Sequence, residues 1–247
     1  MNKTKTTHTY RNRIYEHYAA RFQERTAKFN KEESLSWCKP YKWWLRHWLP
    51  VSKNANILDV ACGSGMLLDH FKNLGYTNLW GVDISPEQVA LTRQVIKNVT
   101  LENCIDYLEG HPGAYDLIVG LDIIEHFYKE EAMRFLDNCY SALKENGRLI
   151  LQTPNAESPW GLSIRYGDFT HEVGFTYKCL RRMLMFAGFT EIRGSECNPV
   201  PIGIISTIRF FLWEILWLGL SAYNYIEAGD KGSGIYTRVF LITGRKP

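Results

Sequence analysis

Short continuous apolar runs recur through the middle of the chain and alternate with stretches that have helical spacing. Apolar runs of about four to eight residues are typical of strands buried on both faces of a parallel sheet. By this criterion strands are predicted in ANILDVA, LWGVDI, Val99–Cys104, YDLIVGLD, GRLILQT, FTEIRGSE and YTRVFLITGR.

The segments between these runs carry the start and stop signals of helices. Helices are predicted over Met66–Leu74 before Gly75, from Ser85-Pro86-Glu87 to about Asn98, over Glu130–Leu143 and in FTYKCLRRMLMFAGF. Serine is a favoured N-cap and proline is favoured in the first helical turn, so the start at Ser85 is well marked. Strands that alternate with helices predict an α/β fold, doubly wound and Rossmann-like, around a mostly parallel seven-stranded sheet.

The two ends of the chain depart from this alternation. Residues 10–49 end in YKWWLRHWLP and predict an N-terminal helical cap that stops at Pro50. Residues 202–220 form an apolar insertion before the last strand, interrupted by Arg209 and Glu214. A spanning helix needs about 20 nearly uncharged residues, so a buried, interfacial or dimer-forming helix is predicted instead. A peripheral membrane contact or a homodimer is therefore expected through residues 202–226.

The bulk properties favour an ordered protein without a nucleic-acid partner. The chain has 247 residues, 45% of them hydrophobic, and a formal net charge of only +3. Its six cysteines include no CxxC pair, which favours reduced thiols. No apolar stretch follows the first residues, so no secretory signal is expected. The protein is expected in the cytoplasm, with peripheral membrane contact as the alternative.

The strongest chemical signal is ILDVACGSGMLL, a predicted strand followed by a glycine turn and a helix. Gly63 and Gly65 would let a ligand approach the backbone closely. A dinucleotide-binding turn has a third glycine where this chain has Leu68, and Asp59 would repel a pyrophosphate. Asp83, at the end of the next strand, suits two ribose hydroxyls. The pattern predicts a nucleoside with a positive charge and no diphosphate, and S-adenosylmethionine fits this description.

In order along the chain, LDVACGSG, GVDIS, YDLIVGLDIIEH and LKENGRLILQTPN resemble the class I S-adenosylmethionine-dependent methyltransferases over residues 55–155. The resemblance implies S-adenosylmethionine as cofactor and S-adenosylhomocysteine as product. It also implies a single methyltransferase domain over residues 1–247. Within it, 10–50 would form the helical cap, 53–155 the cofactor-binding core, and 156–247 the acceptor-side loop, helix, apolar insertion and last strands.

The same resemblance implies roles for individual residues. Asp83 would take the ribose hydroxyls and Ile84 would pack on the adenine. The stretch NCID stands where the family often has an acid for the adenine amino group, so Cys104, backbone groups of Ile105, or Asp106 would serve there. The residues expected around the cofactor are Asp59, Ala61, Cys62, Gly63, Gly65, Asp83, Ile84, Cys104, Ile105, Leu121 and His126. For His126 a packing role alone is the alternative.

The segment YGDFTHEVGFT follows GRLILQTPN and so falls near the carboxyl edge of the predicted sheet, where such folds bind ligands. His171 could act there as a general base, with Asp168 or Glu172 to orient the imidazole. The alternatives are a local turn made by Asp168 and Thr170, or a histidine that only hydrogen-bonds the backbone. The DFTHE side chains could also ligate a metal, but no second cluster of histidines or carboxylates stands out, so no metal is expected.

The stretches TPN and RYGDFTHEVGFT, a helix ending in AGF and the apolar insertion also resemble methyltransferases of bacterial surface-polysaccharide synthesis, for O-antigen or capsule. That resemblance implies methyl transfer to a hydroxyl of a sugar or another polar precursor, with His171 and Asp168 as catalytic residues. The residues expected on the acceptor side are Asn155, Arg165, Tyr166, Glu172 and Tyr18. Arg165 could hold a phosphate, since arginine matches phosphate geometry.

Several alternatives stay open on the sequence alone. The acceptor could be an amine, a phosphorylated small molecule or a quinone-like lipid. A nicotinamide-dependent oxidoreductase and an inactive binding protein are the rivals from other classes, and Leu68 and Asp59 argue against the first. Tyr10, Tyr15 and Tyr18 are expected either on a lid that closes over the cofactor or on a helix packed at the sheet edge.

Overall fold

Seven strands form one sheet in the computed structural model, which describes residues 10–15 and 28–247. The strands are β1 Ile57–Val60, β2 Leu79–Asp83, β3 Val99–Leu101, β4 Tyr115–Leu121, β5 Leu143–Pro154, β6 Thr190–Glu196 and β7 Val239–Arg245. Their order is β3-β2-β1-β4-β5-β7-β6, with β7 antiparallel to both of its neighbours and the other pairs parallel. The predicted Rossmann-like fold with a mostly parallel seven-stranded sheet is confirmed.

Nine α-helices accompany these strands in the described part of the chain. They are α1 Tyr10–Tyr15, α2 Lys31–Trp44, α3 Met66–Asn73, α4 Pro86–Thr92, α5 Cys104–Glu109, α6 Lys129–Ala142, α7 Gly161–Arg165, α8 Tyr177–Phe186 and α9 Ile204–Ala228. The Ser85 cap is confirmed, because its hydroxyl accepts from the Gln88 N–H. The predicted extension of this helix to Asn98 is wrong. The chain turns after Thr92, where the β-branched Val95 and Ile96 favour helix less.

The core divides into two clusters because successive strand residues point to opposite faces of the sheet. Leu58 and Ile118 belong to one cluster, whereas Ile57, Leu117 and Val119 belong to the other. Both faces are therefore covered, which explains why the central strands are apolar at almost every position.

The topology gathers two connecting segments at the carboxyl edge of the parallel strands. Residues 155–176 leave this edge after β5. Because β7 runs antiparallel, Pro154 pairs with Val239 and the start of β7 lies at the same edge. Glu196 at the end of β6 pairs with Phe240, so residues 197–238, including α9, also begin and end there.

The apolar insertion forms α9, a 25-residue helix. One side is fastened to the domain, since the Trp213 indole donates to Glu196 at 3.0 Å and the Trp217 indole donates to the Gly234 carbonyl at 2.9 Å. None of the 25 residues is buried by the described part of the chain, so the buried helix expected from the sequence is not found there. By length and composition alone α9 could cross a membrane.

Candidate functional site

A cavity of about 910 Å³ opens at the carboxyl edge of the sheet. Its walls come from the residues that follow β1, β2 and β4 and from the segment 163–171. The predicted site residues that line it are Asp59, Ala61, Cys62, Gly63, Asp83, Ile84, Cys104, Leu121, His126, Asp168 and His171. Most of the predicted cofactor positions therefore share one cavity with the two predicted catalytic residues.

The glycine turn after β1 is bound to the end of β2. The Gly63 N–H donates to Asp83 Oδ2 at 2.9 Å, and the Ser85 N–H donates to Oδ1 at 2.8 Å. Gly65 has φ +82° and does not line the cavity itself, but a Cβ there would lie 3.0 Å from Thr92. Only glycine fits this turn without strain. Asp83 is thus held at the cavity wall with further lone pairs available to a ligand.

The Asp59 carboxyl group is buried in the cavity wall without a cationic side chain beside it in the described chain. Its side chain is only 3% exposed, and burial followed by the charge of Asp83 raises its pKa well above the usual value. In the described chain no ion pair is formed by Asp59 within 4.0 Å. A ligand with a positive charge would favour the ionised form, as the sequence predicted.

The adenine end of the predicted site needs correction. Ile84 lines the cavity with 43% of its surface exposed, and Cys104 lines it as the first residue of α5, not as a strand end. Ile105 is buried outside the cavity, and its N–H is occupied by Asn103 Oδ1 at 2.9 Å. Asp106 pairs with Arg134 at 3.1 Å on the surface. Asn103 lines the cavity and was missed, although an asparagine before CIDYLE is a helix-cap signal.

The same cavity is lined by a polar cluster, formed by Glu125, His126 and His171. One ligand atom from each lies within 4.8 Å of the other two. His171 Nε2 is 4.0 Å from Glu125 Oε1, which is buried without a hydrogen-bond partner in the described chain. Glu125 Oε2 accepts from the Thr153 hydroxyl at 2.9 Å. In the sequence no second cluster of histidines or carboxylates stood out beside DFTHE, but the fold brings Glu125 and His126 to His171, so the ground for expecting no metal is removed.

Both imidazoles of this cluster are oriented through Nδ1. His171 Nδ1 lies 3.2 Å from the Ile164 carbonyl, which can only accept, so Nδ1 carries the hydrogen. His126 Nδ1 lies 3.2 Å from the Thr170 carbonyl and 2.8 Å from its hydroxyl. That hydroxyl donates to Asp168 Oδ1 at 2.6 Å. Asp168 therefore orients His126 through Thr170, while the carboxyl group that faces His171 belongs to Glu125.

Burial sets the protonation of this part of the cavity. Burial, then the nearby His171, lowers the pKa of His126 to about 4, so this imidazole is neutral at pH 7. Burial, then Asp122, raises the pKa of Glu125 well above its usual value. The Asp122 side chain is exposed to the cavity, where protein groups lie around its carboxyl group. The partial loss of water around this carboxyl group raises its pKa to about 6. Asp122 has φ +52°, a strained conformation for a residue with a side chain.

Three other residues predicted on the acceptor side do not line the cavity. Asn155 is buried and does not line the cavity. Its amide nitrogen donates to the carbonyls of Ile235 and Thr237. Arg165 donates to the backbone carbonyls of His171 and Glu172, so it holds this loop and not a phosphate. Tyr166 is 76% exposed away from the cavity wall. None of these three residues lines the cavity, so their predicted contact with the substrate stays a prediction.

Helix α1 closes over the acceptor side. The Tyr10 hydroxyl donates to the Glu172 carboxylate, which explains the position of that side chain. Arg11 lines the cavity, donates to Glu131 at 2.9 Å and lies 3.9 Å over the Tyr128 ring. The contact between Tyr10 and the loop agrees with a cover over the site. Tyr18 lies outside the described residues, so its predicted role stays a prediction.

Comparison with known proteins identifies a family and a fold. A family model for a methyltransferase domain matches residues 11–193. Sphingolipid C9-methyltransferase B of Emericella nidulans is 24% identical over 188 residues, which are 68% of this chain and 35% of that protein. Ubiquinone biosynthesis O-methyltransferase of Xanthomonas euvesicatoria is 30% identical over 107 residues, 41% of this chain and 44% of that protein. The chain thus spans less than half the length of these relatives.

Solved structures carry the same fold. A SAM-dependent methyltransferase from Archaeoglobus fulgidus has a TM-score of 0.62 and 22% identity, covering 83% of this chain and 93% of its own. Phosphoethanolamine N-methyltransferase 2 of Haemonchus contortus, solved with S-adenosyl-L-methionine, has a TM-score of 0.60 and 16% identity, covering 100% of this chain and 61% of its own. At such identities the likeness concerns architecture alone.

Proposed function

The chain belongs to the methyltransferase-domain family, and from that premise we propose that it transfers a methyl group from S-adenosylmethionine to an acceptor hydroxyl. The observation that carries the proposal is one cavity with two chemically different walls. Asp59 and Asp83, on β1 and β2, form one part of its wall, and Glu125 with His171, after β4 and β5, form another. The first pair suits a cationic nucleoside, and the second suits a group that must lose a proton.

The residues on the first wall fit the cofactor. The buried Asp59 carboxyl lacks a cation of its own, which matches the ammonium or sulfonium of S-adenosylmethionine. Asp83 can accept from ribose hydroxyls, and Ile84 presents an exposed apolar side chain to an adenine face. When bound, the cofactor supplies a methyl group already activated by the sulfonium and leaves as S-adenosylhomocysteine.

The second wall favours a hydroxyl acceptor over an amine. A hydroxyl must give up its proton as the carbon–oxygen bond forms, and a positioned polar group accelerates that step. An amine needs only a deprotonated nitrogen and a place to bind. Glu125 Oε1 has no hydrogen-bond partner in the described chain and lies 4.0 Å from His171 Nε2. A hydroxyl bound beside these two atoms can lose its proton there.

We place the acceptor hydroxyl on a lipid or on a polar group carried by a lipid. The surface-polysaccharide precursor expected from the sequence stays a prediction within this class, as no relative described above is named for one. The two curated relatives are named for sphingolipids and for ubiquinone. Helix α9 adds support from the chain itself, because residues 197–238 begin and end at the edge of the sheet that carries the cavity.

The outward surface of α9 suits a membrane surface. Its exposed apolar residues include Ile204, Ile205, Ile208, Phe211, Leu212, Ile215, Leu216, Leu218, Tyr223, Tyr225 and Ile226. A surface helix normally turns polar residues outward, and this wide apolar arc exceeds the narrow seam of a helix pair. The bonds from Trp213 and Trp217 to the domain hold the helix along the protein, so an interfacial position is favoured over a spanning one.

The protein is expected to sediment with vesicles of phosphatidylcholine and phosphatidylglycerol. Replacing Ile215 and Leu218 with glutamate, each about two-thirds exposed on α9, should weaken the partition at least about tenfold, which is about 1.4 kcal/mol. The control is Val51→Glu, a substitution at an apolar side chain that is 97% exposed outside α9. Equal binding by the wild type and the α9 variant, or a stable dimer without vesicle binding, would contradict the interfacial proposal.

S-adenosylhomocysteine is expected to stabilise the protein, and NAD is not. At about 100 times Kd a ligand adds about 2.7 kcal/mol, which should raise Tm by about 5–10 °C for a chain of this size. Thermal unfolding with each ligand is the measurement. Stabilisation by NAD alone would overturn the proposed function. If S-adenosylhomocysteine stabilises the protein, a screen of nucleotide sugars, glycolipids and quinols for S-adenosylhomocysteine release would identify the acceptor.

A further inference from the structure

We propose that Glu125, His126 and His171 form a binding site for a divalent transition-metal ion that holds the acceptor hydroxyl. The inference rests on the proposed function for the identity of the second ligand, but the metal site itself rests on the three side chains. Two imidazole nitrogens and one carboxylate oxygen are a donor set that suits zinc, manganese or ferrous iron with coordination positions left open.

The spacing of the donor atoms fits one ion. Metal–nitrogen and metal–oxygen bonds of about 2.0–2.2 Å put neighbouring ligand atoms about 3–3.6 Å apart. The 4.0 Å between His171 Nε2 and Glu125 Oε1 is too long for a hydrogen bond and lies a few tenths of an ångström above this range. One imidazole nitrogen of each histidine and one Glu125 carboxyl oxygen lie within 4.8 Å of one another, so a movement of the side chains by about an ångström closes the three residues on an ion.

The supporting contacts place the hydrogen of both rings on Nδ1. Both histidines carry their hydrogen on Nδ1, held by the Ile164 carbonyl for His171 and by Thr170 for His126. The lone pair of each ring is then on Nε2. Histidines that ligate metals are commonly held in this way through the other ring nitrogen. The Asp168–Thr170–His126 series of hydrogen bonds adds a carboxylate behind one of them.

The buried Glu125 oxygen points independently to a cation. Oε1 has no hydrogen-bond partner in the described chain, and the residue is only 1% exposed. A buried acceptor without a partner destabilises the fold, and more so if it is charged. Arg11, the one arginine or lysine among the described residues that line the cavity, donates to Glu131. An ion between Glu125 and the two imidazoles would satisfy this oxygen and neutralise the adjacent carboxyl groups.

The ion would act on the acceptor, not on the cofactor. All three ligands line the cavity, so the open coordination positions face it. A hydroxyl bound to the ion loses its proton more readily: the oxygen–hydrogen bond breaks, the electron pair stays on oxygen, and the proton passes to water. The oxygen can then form its bond to the methyl carbon as the carbon–sulfur bond breaks.

The test is metal binding by the chain freed of metal with a chelator. MnCl2 and ZnCl2 are titrated separately, by the loss of the free Mn²⁺ electron paramagnetic resonance signal and by calorimetry. One equivalent is expected to bind. Glu125→Gln, His126→Ala and His171→Ala should each weaken binding by about 100-fold or more, because even a supporting partner accounts for about 10–100-fold. His47→Ala, at an exposed histidine outside the cluster, should bind like the wild type.

Binding of S-adenosylhomocysteine to the same preparations separates the two proposals. If the cofactor product binds but neither metal does, or if the three variants bind metal like the wild type, the metal site is overturned and the methyltransferase proposal stands. If metal binds and S-adenosylhomocysteine does not, the proposed function fails and the metal site stands. Thr170→Val offers a milder test, with about 10–100-fold weaker metal binding expected from the loss of the His126 support.

Discussion

Replacing Glu125 with glutamine or His171 with alanine is expected to lower kcat at least about 100-fold, within the range of a lost proton-transfer contribution. Affinity for S-adenosylhomocysteine should stay within about twofold, because Glu125 and His171 follow β4 and β5 and make no hydrogen bond or ion pair with Asp59 or Asp83 in the described chain. Glutamine keeps the shape of Glu125 and can still accept from Thr153. The loss therefore reports the missing carboxylate oxygen beside His171 Nε2.

Turnover is measured as S-adenosylhomocysteine release with the acceptor found by the screen, and affinity by calorimetry without acceptor. His111→Ala is a matched control, since this imidazole also has Nδ1 on a backbone carbonyl, 2.7 Å from Tyr107 O, but lies outside the cavity. Unchanged kcat in both site variants would remove the cluster from the chemistry. A parallel fall in cofactor affinity would make the residues structural.

The cofactor wall was predictable because its information is local. A strand, a glycine turn and a helix follow one another directly from Ile57 to Asn73, and Asp83 ends the next strand. Parallel strands with right-handed crossovers bring such ends to one edge, so two short segments suffice to predict their meeting. The adenine end failed where the local signal was misjudged, because Asn103 caps a helix that was taken for the end of a strand.

The polar cluster was only half predictable. Glu125 and His126 follow β4, whereas His171 follows β5 and α7, and no spacing rule relates the two segments. Their contact depends on how the loop is held, with the Glu172 N–H donating to the Glu125 carbonyl at 2.7 Å and Arg165 binding the loop backbone. The sequence placed polar residues near the carboxyl edge of the sheet. It did not show that Arg165 and Asn155 donate to backbone carbonyls, or that His171 faces the Glu125 carboxyl group.

The surface of α9 could not be predicted from its composition. A buried helix, a dimer helix and an interfacial helix are all apolar, and the difference lies in what the rest of the chain covers. Here the described chain covers one side through contacts such as those of Trp213 and Trp217 and leaves the other exposed. The helix itself was correctly predicted, and its exposure became evident only in three dimensions.

Asp83→Ala is expected to weaken binding of S-adenosylhomocysteine by about 100-fold or more. The substitution removes two acceptors for ribose hydroxyls, and a hydrogen bond to a charged group contributes about 1.5–3 kcal/mol. It also removes the acceptor for the N–H groups of Gly63 and Ser85, so the glycine turn loses its support. Asp83→Asn keeps one acceptor oxygen and should fall between the wild type and the alanine variant.

Calorimetric titration with S-adenosylhomocysteine measures these losses, and circular dichroism checks that each variant is folded. Asp106→Ala is the control, because Asp106 lies on the surface with Arg134 and not at the adenine end. Its affinity should equal that of the wild type. A large loss at Asp106 with little at Asp83 would place the nucleoside elsewhere in the cavity. A graded fall in affinity from the wild type through the asparagine variant to the alanine variant would instead tie the ribose to the end of β2, since the number of acceptor oxygens falls along that series.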